Sequence, residues 1–202
     1  DLKILFIELD ISVYYNFSQI STEETLKTKV IQSLTQYANS VNFNQFGGRF
    51  KYSKSLQVID NTDTAITSNI TKVKIRRDLK VAVNQSAQYE LCFGNKFHVE
   101  ASGRNIKSTG FFVIGESSMV YLTDSPNADG VTGTLAIVKE IDNKQIRVVS
   151  KSAGVVDYIH GEVKLSTINI TGTQRDDDII EIQAFPESND VVGLRDLYLS
   201  LS

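Results

Sequence analysis

The sequence feature that most constrains the fold is a strict alternation of residue types over positions 4–15. The stretch ILFIELDISVYY places one series of apolar side chains on a single strand face, namely Leu5, Ile7, Leu9, Ile11, Val13 and Tyr15. The other face carries Glu8, Asp10 and Ser12 beside Ile4, Phe6 and Tyr14. A period of two predicts a long strand with one buried face. Its partner strands are expected later in the chain, and a start this close to residue 1 suggests that the sequence is one piece of a longer protein.

The following segment has the signature of an amphipathic helix of about five turns. Ser21 and Glu24 have the spacing of a capping box at the start of a helix. Apolar residues then recur at helical spacing, at Leu26, Val30, Ile31, Leu34, Tyr37, Ala38 and Val41. The glycine-containing stretch NFNQFGG is expected to end this helix.

A second, shorter helix and a second strand complete the first part of the chain. The short helix is predicted from Leu56 and Ile59, with Ser53 as its cap. The stretch AITSNITKVKIRRD then alternates apolar residues with Lys72, Lys74 and Arg76. We therefore expect an α+β fold class, with a strand–helix–short helix–strand unit packed as layers.

From Leu79 onward, short strand-like runs alternate with turn residues, which predicts a mostly antiparallel β region. A tight hairpin is expected at Asp142-Asn143. The predicted organisation is an α+β unit at 1–78, a β-rich elaboration at 79–154 and a C-terminal hairpin at 155–202. This hairpin is expected to pack back on the first unit.

Composition excludes several classes of protein. The chain has 202 residues, 22% charged residues, a net charge of −3 and one cysteine. An internal disulfide is therefore impossible, and no apolar run approaches the length of a membrane helix. The slightly acidic balance argues against a role in binding nucleic acid or a membrane surface.

Candidate catalytic residues are few, and each has a simpler explanation. His98 and His160 lie beside strand patterns without a second histidine at ligand spacing, and Cys92 has apolar neighbours. The run at 176–178 (Asp-Asp-Asp) is expected to be a solvated turn, and Glu8 and Asp10 are solvent-side strand positions. We therefore predict no catalytic residue, no metal site and no cofactor. A hydrolase that uses carboxylates remains an alternative.

Two groups of residues are candidates for contacts with other proteins. The basic cluster at Lys72, Lys74, Arg76 and Arg77 has no interleaved aromatic residues, so a solvated face or an acidic partner is favoured over nucleic acid. Aromatic and arginine side chains are enriched in interface cores. On that basis the interface prediction comprises Phe43, Phe46, Arg49, Phe50, Tyr52, Lys72, Lys74 and Arg76. The alternative for the aromatic residues is that they close the helix–sheet core.

The order of these elements also resembles a known family. The matching parts are the strand Leu5–Tyr15, the helix 26–41, the loop Phe46–Phe50, the short helix Ser53–Ile59 and the strand Ile66–Ile75. Near the C-terminus, a Tyr-x-x-Gly step and a Pro-x-Ser-x-Asp turn occur at Tyr158, Gly161, Pro186, Ser188 and Asp190. Together they are similar to the baseplate wedge proteins of contractile phage tails, which include the baseplate J-like family. The likeness is greatest to the C-terminal part of the wedge ring proteins of T4-like phages.

The resemblance implies a structural virion protein of the tail baseplate and not an enzyme. Such proteins join wedges into a ring and take part in the rearrangement that triggers sheath contraction. The implied partners are copies of the chain itself and other baseplate wedge proteins, with no nucleic acid and no membrane. The alternative is a β-rich recognition module that binds glycans on a tail or cell surface.

Overall fold

The computed structural model describes residues 2–40, 42–141 and 145–202, and it divides into two compact units. The first unit comprises residues 1–74 and 189–202, and the second comprises residues 75–188. The predicted three-part organisation stays a prediction. In chain order the elements are β1 (Ile4–Tyr15), α1 (Glu23–Ala38), β2 (Arg49–Phe50), α2 (Tyr52–Asp60), β3 (Ile66–Lys80), β4 (Gln85–Cys92), β5 (Lys107–Ser108), β6 (Phe111–Val113), β7 (Tyr121–Pro126), β8 (Thr132–Ile141), β9 (Gln145–Asp157), β10 (Glu162–Thr173), β11 (Ile179–Ala184), β12 (Val191–Val192) and β13 (Tyr198–Leu201). A short 3-10 helix lies at Phe17–Gln19.

The predicted α+β class, with its strand–helix–short helix–strand unit, is wrong. The fold is β-rich, with 50% strand and 14% helix, and the described residues contain two α-helices. The physical reason is that α1 and α2 cover 16 and 9 residues, whereas the described residues of the second unit form strands and no α-helix. The two helices are therefore a minor part of a chain whose backbone hydrogen bonds are made mainly between strands.

In the first unit, β1 lies between β3 and β13. Strand β13 comes from the C-terminal segment and pairs in parallel with β1, in the register Ile4↔Tyr198 to Ile7↔Leu201. Leu5 and Ile7 are fully buried, as the alternation predicts. The partners of the opening strand are thus supplied by later parts of the chain.

Helix α1 covers the apolar face of β1. Val30 and Leu34 form a buried cluster with Ile59 of α2. Partly buried residues from the strands and from α2 pack against that cluster, at Leu9, Ile11, Val13, Val58, Ile66 and Leu201. Burial of these apolar side chains is the main source of stability for this layer.

The helix caps differ from the predicted ones. The N-cap of α1 is Thr22, whose Oγ1 accepts a hydrogen bond from the Thr25 N–H at 3.1 Å, so the predicted cap at Ser21 is one residue too early. Helix α2 receives no capping bond from Ser53 or from its own N-cap residue. Instead, Oδ1 of Asp190 accepts a hydrogen bond from the Tyr52 N–H at 2.7 Å. The predicted helix position at Val41 lies outside the described residues.

The second unit contains a sheet in the order β3-β11-β5-β7-β8-β9-β10-β4, with β6 beside β10. Its ladders are antiparallel, as predicted for this region; β8 and β9, for example, pair from Thr132↔Asp157 to Ile141↔Gln145. This agrees with the expected hairpin, although its predicted centre at Asp142-Asn143 lies outside the described residues.

A buried tyrosine–carboxylate pair lies in the core of the second unit. The Tyr158 hydroxyl donates to Oδ2 of Asp124 at 2.6 Å, and Oδ1 of Asp124 accepts from the Ile106 N–H at 2.7 Å. Tyr158 and Asp124 are 0% and 2% exposed, so water cannot replace either bond. Burial and the adjacent carboxylate raise the pKa of the Tyr158 hydroxyl, which therefore remains a donor.

We expect Tyr158→Phe to lower the free energy of unfolding by about 2 kcal/mol, because it leaves a buried carboxylate oxygen without its donor. Urea denaturation followed by far-UV circular dichroism measures the change. Tyr121→Phe is the matched control, since the hydroxyl it removes makes a long contact to the Met119 sulfur at 3.5 Å. Equal stability of the two variants would contradict the role assigned to the buried pair.

Candidate partner-binding surface

The predicted interface aromatics between α1 and α2 fall into a buried set and an exposed set. Phe43 and Phe50 are each 1% exposed, and their rings meet edge to face with centroids 5.7 Å apart. Tyr37 lies against Phe43 at a centroid distance of 5.5 Å. Phe43 and Phe50 therefore belong to the core of the first unit, as the alternative interpretation of these aromatics expected.

The other predicted residues of this loop lie at the surface. Phe46 is 54% exposed, and its ring touches Tyr198 edge to face at 5.5 Å. Arg49 is exposed on β2. Tyr52 is half-buried, and its hydroxyl donates to the Thr71 carbonyl at 2.9 Å. Phe46 and Arg49 are thus the members of the set that a partner can reach most fully.

A cleft of about 620 Å³ opens in the first unit between the end of α1 and the start of α2. Three cationic residues line it, at Arg49, Lys51 and Lys54, and all three are exposed. The Tyr37 hydroxyl lies 3.4 Å from both the backbone oxygen and the backbone nitrogen of Lys51. Partial burial raises the pKa of this tyrosine. The cleft therefore combines a tyrosine that is held against the backbone with three exposed cations at its rim.

Sequence reasoning missed Lys51 and Lys54 as members of this site. The signal was present in RFKYSK, where cations and aromatic residues are interleaved across the start of a helix. It was overlooked because the cleft needs the end of α1 as its other wall, and that juxtaposition is tertiary. Asp190 was noted for its motif, but its contact with the first turn of α2 links residues 138 positions apart.

The predicted basic cluster on β3 is not a uniform charged face. Lys72 is exposed, whereas Lys74 and Arg76 are half-buried. Arg76 Nε lies 3.0 Å from Oδ1 of Asp78. Arg77 is buried, and its guanidinium donates to the Cys92 carbonyl at 2.5 Å. The two arginines are therefore engaged within the protein, and the structure does not present the four cations together.

The histidines form pairs with single carboxylates at the surface. His160 Nδ1 lies 2.8 Å from Oδ2 of Asp157, and hydrogen bonding to this carboxylate raises the pKa of the imidazole. His98 lies 3.9 Å from Glu100. Each pair explains the position of its histidine without a substrate.

The remaining candidate groups are also accounted for locally. Cys92 is half-buried. Asp177 pairs with Arg175 at 2.6 Å, and this partner lowers the pKa of the carboxyl. Across residues 2–40, 42–141 and 145–202, no group of three or more histidine, cysteine, aspartate or glutamate side chains is placed to hold a metal ion.

Comparison with known proteins finds a family match for part of the chain. Residues 3–78 match the family model described as "Baseplate structural protein gp6, C-terminal domain III". The match confirms the resemblance to a phage baseplate wedge protein and the predicted location in the virion tail baseplate. No curated protein matches the chain significantly. Among the described helices, none has the length and apolar character that crossing a membrane requires.

Proposed function

We propose that this chain, whose residues 3–78 match a baseplate structural protein domain, is a subunit that joins baseplate wedges into a ring. In this role it also takes part in the rearrangement that triggers sheath contraction, and it catalyses no reaction. The family match is the observation that carries the proposal, because residues 3–78, which include most of the first unit, are similar to a domain of a baseplate structural protein. Its partners are copies of itself and other wedge proteins.

The surface of the first unit supports this assignment. A ring subunit needs patches that neighbouring subunits can reach. Phe46 is a large aromatic residue that remains 54% exposed although its ring already contacts Tyr198, so more than half of the residue is available to a partner. Aromatic anchors of this kind dominate the energetics of protein interfaces. We therefore place a subunit contact at Phe46.

We expect the chain to associate in a concentration-dependent manner, and Phe46→Ser to weaken that association about tenfold. Sedimentation velocity over a range of protein concentrations, alone and with other baseplate proteins, measures the effect. Phe17→Ser is the matched control, because Phe17 is 73% exposed in the same unit but lies outside this surface.

Two results would contradict the proposal. One is an equal effect of Phe46→Ser and Phe17→Ser, which would show that general surface hydrophobicity drives association. The other is a strict monomer that binds neither itself nor other baseplate proteins but binds a glycan. That outcome would favour the recognition module instead.

A further inference from the structure

We propose that the cationic cleft of the first unit, lined by Arg49, Lys51 and Lys54, is a docking site for an acidic peptide segment of another protein. The inference rests on the proposed function only in that the segment would belong to another baseplate protein. Its physical basis is the charge and shape of the cleft itself.

The charge of the cleft is uncompensated at its rim. Within the parts of the chain that the structure describes, none of the three cations is engaged in an ion pair, and Lys54 Nζ donates to the neutral Gln57 side chain at 3.1 Å. The residues that line the cleft include no carboxylate. Cations gathered on one side of a concave surface attract an oppositely charged partner and increase its rate of association.

The same part of the unit already receives one carboxylate from a distant segment. Asp190 binds the Tyr52 N–H at 2.7 Å, immediately after Lys51 in the sequence. The N-terminus of a helix favours negative charge, so this position suits an acidic side chain. Asp190 accepts from this backbone N–H and is not among the residues that line the cleft, so the three cations remain available to a partner.

The size and lining of the cleft favour a peptide over a small anion. Its volume of about 620 Å³ is far more than a single phosphate or acetate ion occupies. The three cations are spread over residues 49–54, so several carboxylates along one chain are needed to meet them all. Asn42 and Gln45 also line the cleft. An amide side chain can both donate to and accept from a peptide backbone.

The lining also distinguishes a peptide from nucleic acid. Proteins that bind single strands combine cations with exposed aromatic rings on which bases stack. Here the aromatic residues lining the cleft are Phe43, which is buried, and Tyr37, which is half-buried with its hydroxyl beside Lys51.

Fluorescence anisotropy with a labelled peptide of six glutamates tests the proposal on the full chain. A peptide of six glutamines and a six-nucleotide DNA strand serve as comparison probes. We expect the glutamate peptide to bind, with an affinity that falls as salt is raised. The triple variant R49E/K51E/K54E should bind at least about tenfold more weakly.

The control variant K3E/K27E/K72E changes net charge by the same amount at exposed lysines of the same unit that do not line the cleft. It should keep peptide affinity within about threefold of the parent. The milder triple R49Q/K51Q/K54Q, checked by thermal melting with the others, separates loss of binding from loss of folding. We expect it to weaken binding while its melting temperature stays unchanged.

The proposal is overturned by equal binding to the parent and the cleft variants, or by an equal loss in the control variant. It is also overturned if the glutamine peptide binds equally, or if the DNA strand binds more tightly and is lost with the same variant. Association through Phe46 is a separate measurement. If a strictly monomeric chain binds the peptide, the cleft proposal stands and the subunit contact at Phe46 is rejected. If the chain associates through Phe46 but does not bind the peptide, the subunit contact stands and the cleft proposal is rejected.

Discussion

Replacing Gly161 by alanine is expected to lower the free energy of unfolding by about 3 kcal/mol or more, the sum of backbone strain and a steric clash. Gly161 has a φ of +66°, which side chains with a Cβ adopt only at a cost. A Cβ at this position would lie 2.0 Å from the carbonyl oxygen of Asn95. The backbone carbonyl cannot move aside as a flexible side chain can.

The local structure explains why the backbone at Gly161 lies so close to Asn95. Oδ1 of Asp157 accepts hydrogen bonds from the backbone N–H groups of Ile159 and His160, at 3.0 and 2.9 Å, which fixes a tight turn after β9. The Gly161 carbonyl then accepts from the Phe93 N–H at 2.8 Å. A side chain at Gly161 would push these two segments apart.

Gly130→Ala is a matched control for this prediction. Gly130 has a φ of +63°, almost the same as that of Gly161, but a Cβ there would meet nothing within 4 Å. We expect Gly130→Ala to cost about 1 kcal/mol, the backbone strain alone. Urea denaturation of both variants gives the difference. Equal destabilisation would show that the close approach to Asn95 contributes nothing.

The sequence predicted the elements that have one buried face. Leu5 and Ile7 of β1 and Leu26, Val30 and Leu34 of α1 are buried where the periodicity expected them. Such patterns are reliable because a strand or helix at a surface must sort its side chains between core and solvent. The balance of the fold class was wrong because two clear helical signals outweighed many short strands.

Local patterns failed where a position depends on distant residues. The run KFHVEA lies in the region after Leu79 that was predicted to consist of short strands, but Phe97 makes an isolated bridge to Pro186 and packs edge to face on Phe93 at 5.1 Å. Burial of its ring and separate backbone hydrogen bonds, such as that from the Phe97 N–H to the Tyr158 carbonyl at 2.8 Å, hold this segment without a continuous ladder. The same limit applies to Phe43 and Phe50, whose aromatic character is equally compatible with a core and with an interface.

The candidate cleft shows the limit most clearly. Arg49 was identified from its residue type, whereas Lys51 and Lys54 were not, although all three line the same surface. The three cations line one cleft because the chain after α1 folds back beside the end of that helix. The capping bond from Asp190 likewise depends on a segment that follows the whole second unit. No periodicity within either segment encodes these contacts.

Leu34→Asp is expected to prevent folding of the first unit, or to cost about 3 to 5 kcal/mol where the unit still folds. Leu34 is 6% exposed and forms the core cluster with Val30 and Ile59. The substitution removes apolar contacts and places a carboxylate where no cation is available to pair with it in that cluster. An ionised carboxyl in such surroundings must either draw water into the core or take up a proton.

Ile31→Asp is the matched control on the same helix, because Ile31 is 54% exposed and its replacement keeps the new carboxylate in water. We expect this variant to melt close to the parent, with a cost of about 1 kcal/mol or less. Thermal melting by circular dichroism, together with the yield of soluble protein, compares the two. A soluble Leu34→Asp variant with an unchanged melting temperature would show that the buried face of α1 has been assigned to the wrong residues. The stability of the first unit would then have to come mainly from the pairing of β1 with its neighbouring strands.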